Sequence, residues 1–364
     1  MVGGIASSFR TTDFRIPMFE DRYSRQMRVP GIGKAGLEKI RASRVTLCGV
    51  GALGTVLANT LVRAGVGHVR IIDRDFVEPS NLQRQVLFDE SDVTDNLPKV
   101  EAAARKLRAI NSEVEIEAIT ADIDRTNIEA FCTDADLILD GTDNFEVRYI
   151  INDIAVKLGK PWIYGGAVGV EGMTMTILPG VTPCLRCVFE QSPGPGEVGT
   201  CETAGVLGPI VGITASWQAA EALKILAGKP EAINRELYMY NCWENTSRRV
   251  KIAPLKGRKG QCPCCALHKY EWLDGDHGTQ STSLCGRNAV QVTQRRAGKL
   301  DFTELKKQVE GAKGISANKF LMKFTITDAG HDHEFTVFPD GRAIIKGTDD
   351  TDRARVLYAK YVGH

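Results

Sequence analysis

Residues 44–73 read RVTLCGVGALGTVLANTLVRAGVGHVRIID, and this stretch decides the fold class. It begins with an apolar run, 44–49, that predicts a short buried strand, and it ends with a second such run at 68–73. Between them a glycine-rich turn opens a helical stretch at 52–64. Strands joined in this way lie parallel in one sheet, and the connection between them is right-handed. The chain is therefore predicted to belong to the α/β class.

The turn of this unit carries Gly49, Gly51 and Gly54 in the pattern G-x-G-x-x-G. Glycines let the main chain approach a phosphate, and the N-terminus of the following helix offers free N–H groups and positive potential. Asp73 closes the next strand, where a carboxylate can bind ribose hydroxyls. The pattern predicts a nucleotide site, for which an NAD-dependent dehydrogenase is the default interpretation. The alternative interpretation is that the glycines only permit tight packing and that no ligand binds there.

Strands and helices continue to alternate past this unit. Helices are predicted at 99–110, 144–158 and 209–226, and strands at 114–119, 136–140, 162–164, 173–178, 236–240 and 250–252. The alternation as far as residue 169 predicts a doubly wound, Rossmann-like and mainly parallel sheet. Beyond it, apolar residues alternate with threonines, which is typical of antiparallel strands added to such a sheet.

The chain is predicted to divide into three parts. Residues 1–43 form an arm and helices that pack on the core or on a dimer partner, and residues 44–268 form the core. A polar stretch at 266–285, rich in Gly, Ser and Thr, marks a boundary. Residues 285–364 form a small α+β domain. Its elements are predicted at 289–292, 302–310, 320–327 and 352–361, with two more strands flanking the turn at 339–341.

Composition narrows the class of protein. The 364 residues carry a net charge of +1, with 43% hydrophobic and 25% charged residues, as in soluble globular proteins. This balance provides no general attraction to nucleic acid or to acidic membranes. The longest apolar stretch, 205–220, is too short to span a bilayer and predicts a buried helix. With ten cysteines and no signal peptide at 1–8, we expect a cytoplasmic protein with reduced thiols.

Polar residues follow Asp73 at points where strands end. They are Ser80-Asn81-Leu82-Gln83-Arg84-Gln85, Lys99 at a helix start, and Asp140-Gly141-Thr142-Asp143-Asn144. Arg84 and Lys99 can neutralise a triphosphate, and Asp143 can hold Mg²⁺ beside phosphates. Singly, each has a structural explanation, as an exposed arginine, a helix-start lysine or a helix-capping aspartate. All of them are predicted to lie at one edge of the sheet. This arrangement favours ATP over NAD as the nucleotide, because a dehydrogenase needs no carboxylate to hold magnesium.

A series of separated motifs places the sequence beside a known family. In order, they are Arg22-Tyr23-Ser24-Arg25-Gln26, the glycine turn, Asp73, the 80–85 segment, Lys99, the 140–144 segment, Cys184-Leu185-Arg186-Cys187, the run TCETAGVLGP at 200–209, and the pair Cys262 and Cys265. This set resembles the ThiF/MoeB/HesA adenylyltransferases, relatives of the ubiquitin-activating enzymes. The resemblance covers roughly residues 20–265. The C-terminal domain lies outside the motif set and resembles the C-terminal extension of some longer bacterial members of the family.

The resemblance implies a role for each matching residue. Asp73 would bind the ATP ribose, Asn81, Arg84 and Lys99 would contact the phosphates, and Asp143 would hold Mg²⁺. The full nucleotide-binding set is Gly49, Gly51, Gly54, Asp73, Asp75, Asn81, Arg84, Gln85, Lys99 and Asp143. Arg25 would reach into the partner's active site across a homodimer interface. Cys201 matches a cysteine that some members use in sulfur transfer or thioester chemistry, although a lone cysteine is more often a small buried residue.

The implied substrate is a ubiquitin-like sulfur-carrier protein that ends in Gly-Gly, in thiamine, molybdopterin or related biosynthesis. Its terminal carboxylate has a pKa of about 3.5 and is ionised at neutral pH, so no general base is needed. It would attack the α-phosphate of ATP and release pyrophosphate. A cysteine desulfurase or a rhodanese would be the sulfur donor. Adenylation of a non-protein or peptide carboxylate, a dehydrogenase and a non-catalytic scaffold are the alternatives.

Two Cys-x-x-Cys pairs predict a structural zinc site. Cys184 with Cys187 and Cys262 with Cys265 supply four thiolates, the donor set of a tetrahedral zinc. The second pair lies in Cys-Pro-Cys-Cys, so Cys264 is an alternative fourth ligand, and buried or redox cysteines are the alternative to a metal.

Three further features have a structural and a functional interpretation. The basic residues Arg248, Arg249, Lys251, Lys256, Arg258 and Lys259 are a solvated face or a docking surface for an acidic carrier. His331 and His333 resemble a metal pair but fall on a polar turn. Asn96 stands where the family has glycine, and asparagine tolerates the positive φ that such a turn requires.

Overall fold

Two β-sheets with helices packed against them form the described part of the chain. The computed structural model describes residues 21–191, 204–252, 262–275, 283–284, 288–292 and 300–363. The strands are β1 (Arg44–Cys48), β2 (His68–Asp73), β3 (Glu115–Thr120), β4 (Leu137–Asp140), β5 (Trp162–Val168), β6 (Glu171–Ile177), β7 (Leu237–Asn241), β8 (Thr246–Val250), β9 (Ser283–Leu284), β10 (Ala289–Val292), β11 (Lys313–Ala317), β12 (Met322–Asp328), β13 (His331–Val337) and β14 (Ala343–Lys346).

Twelve α-helices are described. They are α1 (Ser24–Met27), α2 (Gly33–Ala42), α3 (Ala52–Ala64), α4 (Glu90–Thr94), α5 (Lys99–Ile110), α6 (Ile128–Cys132), α7 (Phe145–Leu158), α8 (Leu185–Val188), α9 (Gly208–Leu226), α10 (Glu271–Asp274), α11 (Phe302–Gln308) and α12 (Thr351–Tyr361). Helices α3, α5 and α7 begin within one residue of their predicted starts, because the glycine turn, Pro98 and the capping Asn144 mark them in the sequence.

The larger sheet has the strand order β3-β2-β1-β4-β5-β6-β7-β8. Strands β1 to β5 pair in parallel, and β6, β7 and β8 are added antiparallel to one side. This confirms the predicted doubly wound, mainly parallel sheet with antiparallel additions. The chain order changes direction between β1 and β4, and ligands bind at such a switch point in open α/β sheets.

Helices cover both faces of this sheet, as the alternation of side chains in β1 illustrates. Val45 and Leu47 are fully buried and pack with apolar residues of α3, α5 and α9. Cys48 points to the other face, where it packs with α6 and α7. The core is therefore two apolar layers, one on each side of the sheet.

Helix α9 is the buried helix predicted from the apolar stretch at 205–220. Its Gln218 is fully buried, and Nε2 donates a hydrogen bond of 2.8 Å to the carbonyl oxygen of Asp140. The helix thus packs on one face of the sheet and contacts the end of β4. None of the described helices combines the length and apolarity needed to cross a bilayer.

Strands β5 and β8 differ most from the prediction. Strand β5 continues beyond Tyr164 because Gly165 pairs with Thr174 of β6, and a Cβ at Gly165 would lie only 2.4 Å from the Gln218 side chain. Strand β8 lies at Thr246–Val250 rather than 250–252. It is an exposed edge strand, so it lacks the apolar alternation that would reveal it.

The C-terminal sheet has the order β11-β12-β13-β14-β10-β9, with antiparallel pairs throughout. Helices α11 and α12 contribute Leu305 and Leu357 to its apolar core. A small α+β unit was predicted here, but strand β11 was not, because its burial pattern is almost entirely exposed. The domain limits 1–43, 44–268 and 285–364 remain predictions.

Candidate nucleotide site and cysteine cluster

Three glycines of the nucleotide-binding set differ in what surrounds them. Gly49 has φ 89°, and a Cβ at Gly54 would lie 2.1 Å from the Gly49 carbonyl oxygen, so both are required by the fold. A Cβ at Gly51 would meet its nearest neighbour, Gln85 Nε2, only at 3.9 Å. Packing therefore explains Gly49 and Gly54, whereas Gly51 leaves open space at the start of α3, where a phosphate could approach main-chain N–H groups.

Asp73 joins the end of β2 to the glycine turn. Its Oδ2 accepts a hydrogen bond of 2.7 Å from the Val50 N–H, and its Oδ1 accepts one of 2.8 Å from the Asp75 N–H. Burial raises the pKa of Asp73, and the positive charge of Lys99 opposes that rise. Each carboxylate oxygen has a second lone pair, so the side chain can still accept from ribose hydroxyls.

Lys99 lies at the same edge of the sheet. Its Nζ is 3.1 Å from Asp75 Oδ2, and its side chain is 5% exposed. The preceding turn contains Asn96 with φ 48°, which confirms that asparagine takes the positive φ expected at this position. The turn and the start of α5 thus hold the ammonium group beside the carboxylates of Asp73, which ends β2, and Asp75, which follows it.

In the sequence, the segment 80–85 lies between Asp75 and Lys99. The Asn81 side chain is buried, and its Oδ1 accepts from the Glu78 N–H at 3.1 Å. Arg84 is partly exposed and its Nη1 donates to the Ser80 carbonyl at 2.8 Å. Gln85 is 3% exposed, yet its Oε1 has no hydrogen-bond partner among the described residues. A buried amide oxygen without a partner, beside the open space at Gly51, fits a site that receives a polar ligand.

A buried ion pair that the sequence analysis missed stabilises the loop after β4. Arg148 Nε lies 3.1 Å from Asp140 Oδ2, and its Nη2 donates to the Thr142 and Gly165 carbonyls. The guanidinium also lies 5.2 Å from the ring centroid of Tyr164. An arginine within the apolar helix sequence FEVRYIINDIAV was the available signal, since such a charge must find a partner inside the protein.

This loop presents Asp143 to solvent. Burial disfavours the charged form of Arg148, but Asp140, Tyr164 and Asp143 raise its pKa above the ordinary value. Asp143 also contributes to the raised pKa of Arg74, which follows Asp73. Asp143 is therefore close enough to both arginines to interact with them, as an exposed carboxylate near the ends of β2 and β4.

The four predicted zinc ligands form a compact cluster. The sulfur atoms of Cys184, Cys187, Cys262 and Cys265 all lie within 4.8 Å of one another. The Cys184–Cys262 and Cys187–Cys265 distances are both 3.6 Å. A tetrahedral zinc with Zn–S bonds of about 2.3 Å has sulfur–sulfur edges of about 3.8 Å. The cluster therefore has the donor set and the spacing of a structural zinc site.

Cys264 lies beside this cluster but has a different hydrogen-bond partner. It is fully buried, and its sulfur accepts a hydrogen bond of 3.2 Å from Asn152 Nδ2. Asn152 Oδ1 in turn accepts from the Leu185 N–H at 2.8 Å, which ties α7 to the first cysteine pair. The four-sulfur group contains Cys265 rather than Cys264.

One catalytic candidate is not brought to the site within one chain. Arg25 lies on α1, is exposed, and has a hydrogen bond of 3.4 Å to Ser24. The start of α1 is fixed by buried Tyr23, whose hydroxyl accepts from Asn111 Nδ2 at 2.8 Å. Cys201 lies outside the described residues.

Among the remaining candidates, those that the structure describes show no ligand-binding arrangement. On the exposed edge strand β8, the guanidinium carbon of Arg249 lies 5.6 Å from the ring centroid of Tyr238. Lys256, Arg258 and Lys259 lie outside the described residues. His331 is exposed and His333 is buried, and within the described ranges neither belongs to a potential metal-binding group.

Comparisons with known proteins relate the chain to one family. The model of the ThiF family matches residues 23–264. The sulfur carrier protein ThiS adenylyltransferase of Bacillus subtilis (strain 168) is 42% identical over 343 residues, which are 94% of this chain and 99% of that protein. The sulfur carrier protein adenylyltransferase of Thermus thermophilus is 38% identical over 250 residues, 67% of this chain and 90% of that protein.

Solved structures show the same fold. E. coli MccB, solved with ATP, has a TM-score of 0.57 and 24% sequence identity, covering 67% of this chain and 74% of MccB. At that identity the likeness concerns the fold alone. The family model, by contrast, spans more than half of the chain and includes the glycine turn, the Asp73–Lys99 region and Asp143. On this evidence the chain belongs to the ThiF family.

Proposed function

We propose that this protein uses ATP to adenylate the C-terminal carboxylate of a ubiquitin-like sulfur-carrier protein and releases pyrophosphate. The observation that carries the proposal is the likeness to the Bacillus subtilis ThiS adenylyltransferase, which runs over 94% of this chain and 99% of that protein. The site supports it, because cationic and acidic side chains surround an open glycine turn at the switch point of the sheet.

The reaction needs charge neutralisation more than proton transfer. A Gly-Gly carboxylate with a pKa of about 3.5 is already an anionic nucleophile at neutral pH. Its oxygen bonds to the α-phosphorus, the bond from that phosphorus to the bridging oxygen breaks, and pyrophosphate leaves. Two anions must therefore be held together in line, which positioned cations achieve. The product is an acyl-adenylate whose glycine carbonyl is open to attack by sulfur.

Each side chain of the site has a task in this scheme. Asp73 and Asp75 would hold the ribose edge of ATP, and Gly51 would leave room for the phosphates. Lys99 would exchange its contact with Asp75 for a phosphate oxygen. Asn81, Arg84 and Gln85 would provide further hydrogen bonds. Asp143 would hold Mg²⁺, whose charge would offset that of the triphosphate.

A homodimer would complete the site. Arg25 has an exposed side chain on a short helix whose start is fixed by Tyr23, so it is positioned to reach a neighbouring protomer. A guanidinium supplied in this way would stabilise negative charge on the phosphates, as arginine fingers do.

The cysteine cluster would hold a structural zinc. Four thiolates without an open position close the coordination sphere, so the metal would stabilise the fold rather than activate water. Cys184, Cys187, Cys262 and Cys265 would be its ligands. Cys201 would serve a later sulfur-transfer step, with a cysteine desulfurase or a rhodanese as sulfur donor.

Intact-protein mass spectrometry of the carrier tests the proposal. With ATP and Mg²⁺, a sulfur carrier ending in Gly-Gly should gain the mass of an adenylyl group, and the same carrier without its last glycine should not. Adenylation of a peptide or of a small carboxylate, with carriers left unmodified, would contradict the assignment of the substrate. Tight NAD(H) binding without ATP binding would contradict the reaction itself.

A further inference from the structure

The C-terminal sheet contacts the larger sheet at its nucleotide edge. Phe76, three residues after Asp73, packs in a small apolar cluster with residues in or next to strands of the C-terminal sheet, namely Ala289, Leu321, Phe338 and Ile344. The polar contacts join Gln291 to Asp122 at 2.6 Å, Asn318 to the Asn96 carbonyl at 3.0 Å and Lys346 to Glu78 at 2.7 Å. These contacts fall on the segments that follow β2 and β3 and on the turn before Lys99.

Arg342 is the most buried cation of this contact. Its side chain is 3% exposed, and both Nη atoms lie 3.4 Å from the carbonyl oxygen of Arg74, to which they donate. The guanidinium carbon lies 4.0 Å from the ring centroid of Phe338, and burial lowers the pKa of Arg342. A charge in such a place is costly unless its contacts compensate for lost water.

The peptide that Arg342 binds is the one that orients Asp73. Arg342 contacts the C=O of the Arg74–Asp75 peptide group, and the N–H of the same group donates to Asp73 Oδ1 at 2.8 Å. A cation at the carbonyl polarises the peptide and strengthens the hydrogen bond that its N–H donates. Arg342 thus acts on the Asp73 carboxylate through a single peptide plane.

The side chain of Arg74 anchors the residue before that peptide bond. Its Nη1 donates to Asp122 Oδ1 at 3.0 Å, while Asp122 Oδ2 accepts from Gln291 of the C-terminal sheet. Asp75 is paired with Lys99. The residues on either side of the peptide bond are therefore both anchored, so that the peptide group has a fixed orientation.

We propose that Arg342 is a positioning residue of the nucleotide site: it fixes the Arg74–Asp75 peptide and thereby aligns Asp73 with the ribose hydroxyls of ATP. The C-terminal sheet is then part of the machinery that selects the nucleotide, although it carries none of the phosphate-binding motifs. The inference rests on the proposed function in that Asp73 is taken to bind the ribose of ATP.

The test compares the binding of ATP and 2′-deoxy-ATP to the full-length protein by calorimetry, without a carrier. Loss of one ribose hydrogen bond should make wild-type protein bind 2′-deoxy-ATP about tenfold more weakly than ATP. Arg342→Gln should weaken ATP binding about tenfold and 2′-deoxy-ATP binding by a clearly smaller factor, because 2′-deoxy-ATP has one ribose hydroxyl fewer to lose, so that the preference for ATP shrinks. Arg342→Lys, which keeps a cationic donor, should recover part of it.

Lys346→Met is the matched control, because it removes another cation of the same contact without touching the Arg74–Asp75 peptide. It should keep the wild-type preference even if the unfolding temperature falls as much as in Arg342→Gln. An Arg342→Gln protein that retains the full preference would overturn the inference, and so would wild-type protein that does not distinguish the two nucleotides. Carrier adenylation is measured separately, so its failure with an intact ribose preference would overturn only the proposed reaction.

Discussion

Gly51 and Gly54 provide a contrast at the residue scale. Gly54→Ala places a Cβ 2.1 Å from the Gly49 carbonyl oxygen, so we expect it to lower the free energy of unfolding by more than about 3 kcal/mol. Gly51→Ala adds a methyl group to open space and should cost less than about 1 kcal/mol. It should nevertheless weaken ATP binding, because it fills room proposed for the phosphates. Chemical denaturation and ATP calorimetry on both variants check this, and equal stability losses would contradict it.

Lys99 is expected to act on ATP rather than on folding. Lys99→Met removes a cation from the phosphate region, and kcat/KM for carrier adenylation should fall about 100-fold or more. Lys106→Met is the control, since Lys106 lies on the same helix and pairs with Asp89 at 3.0 Å, away from the glycine turn. Steady-state kinetics on both variants, with melting temperatures, separates the two effects. Similar adenylation by both variants would show that Lys99 does not contact phosphate.

The sequence predicted those site residues that lie in local motifs. The glycine turn, Asp73, Asn96 and Lys99 could be placed because each occupies a defined point of a strand–turn–helix unit. The Asp140–Arg148 pair and Arg342 could not, because their partners are decided by the packing of distant segments. Arg342 binds the carbonyl of Arg74, a partner 268 residues away that no local pattern reveals.

At the scale of secondary-structure elements, the cysteine cluster joins the segment 262–275 to the first cysteine pair, and Cys264 joins it to Asn152 of α7. Cys265→Ser should reduce bound zinc to well below one ion per chain, because it removes one of four thiolates. Cys264→Ser should keep the zinc, since Cys264 is bound to Asn152 instead. Elemental analysis of both proteins, purified identically, makes the comparison. Zinc lost from the Cys264→Ser protein alone would reverse the assignment of the fourth ligand.

Element limits were predictable where glycine, proline or a capping residue marks them. Helices α3, α5 and α7 have such markers, and their starts were predicted to within one residue. Strand β5 was predicted too short because Gly165 and Gly166 resemble a terminator, whereas here their small size accommodates the neighbouring helix and strand. Strand β8 was misplaced and strand β11 was missed, because exposed edge strands need no apolar alternation.

At the scale of the whole molecule, the homodimer proposal gives a quantitative expectation. Arg25→Ala and Lys99→Met proteins should each be inactive, because every site would lack one group. After subunit exchange, half of the dimers are mixed, and each mixed dimer has one site with both groups intact. Activity should therefore return to about a quarter of the wild-type value. Mass spectrometry confirms exchange, and mixed dimers that stay inactive would mean that Arg25 does not act across the interface.

ATP–pyrophosphate exchange tests the central claim most directly, because it detects reversible acyl-adenylate formation without requiring a sulfur donor. The purified protein, with Mg²⁺ and a ubiquitin-like sulfur carrier ending in Gly-Gly, should exchange labelled pyrophosphate into ATP. The same carrier without its last glycine should support none. Exchange that depends on the intact carrier would establish the carrier carboxylate as the substrate. Measurable ATP binding with no exchange, across several such carriers, would contradict the account.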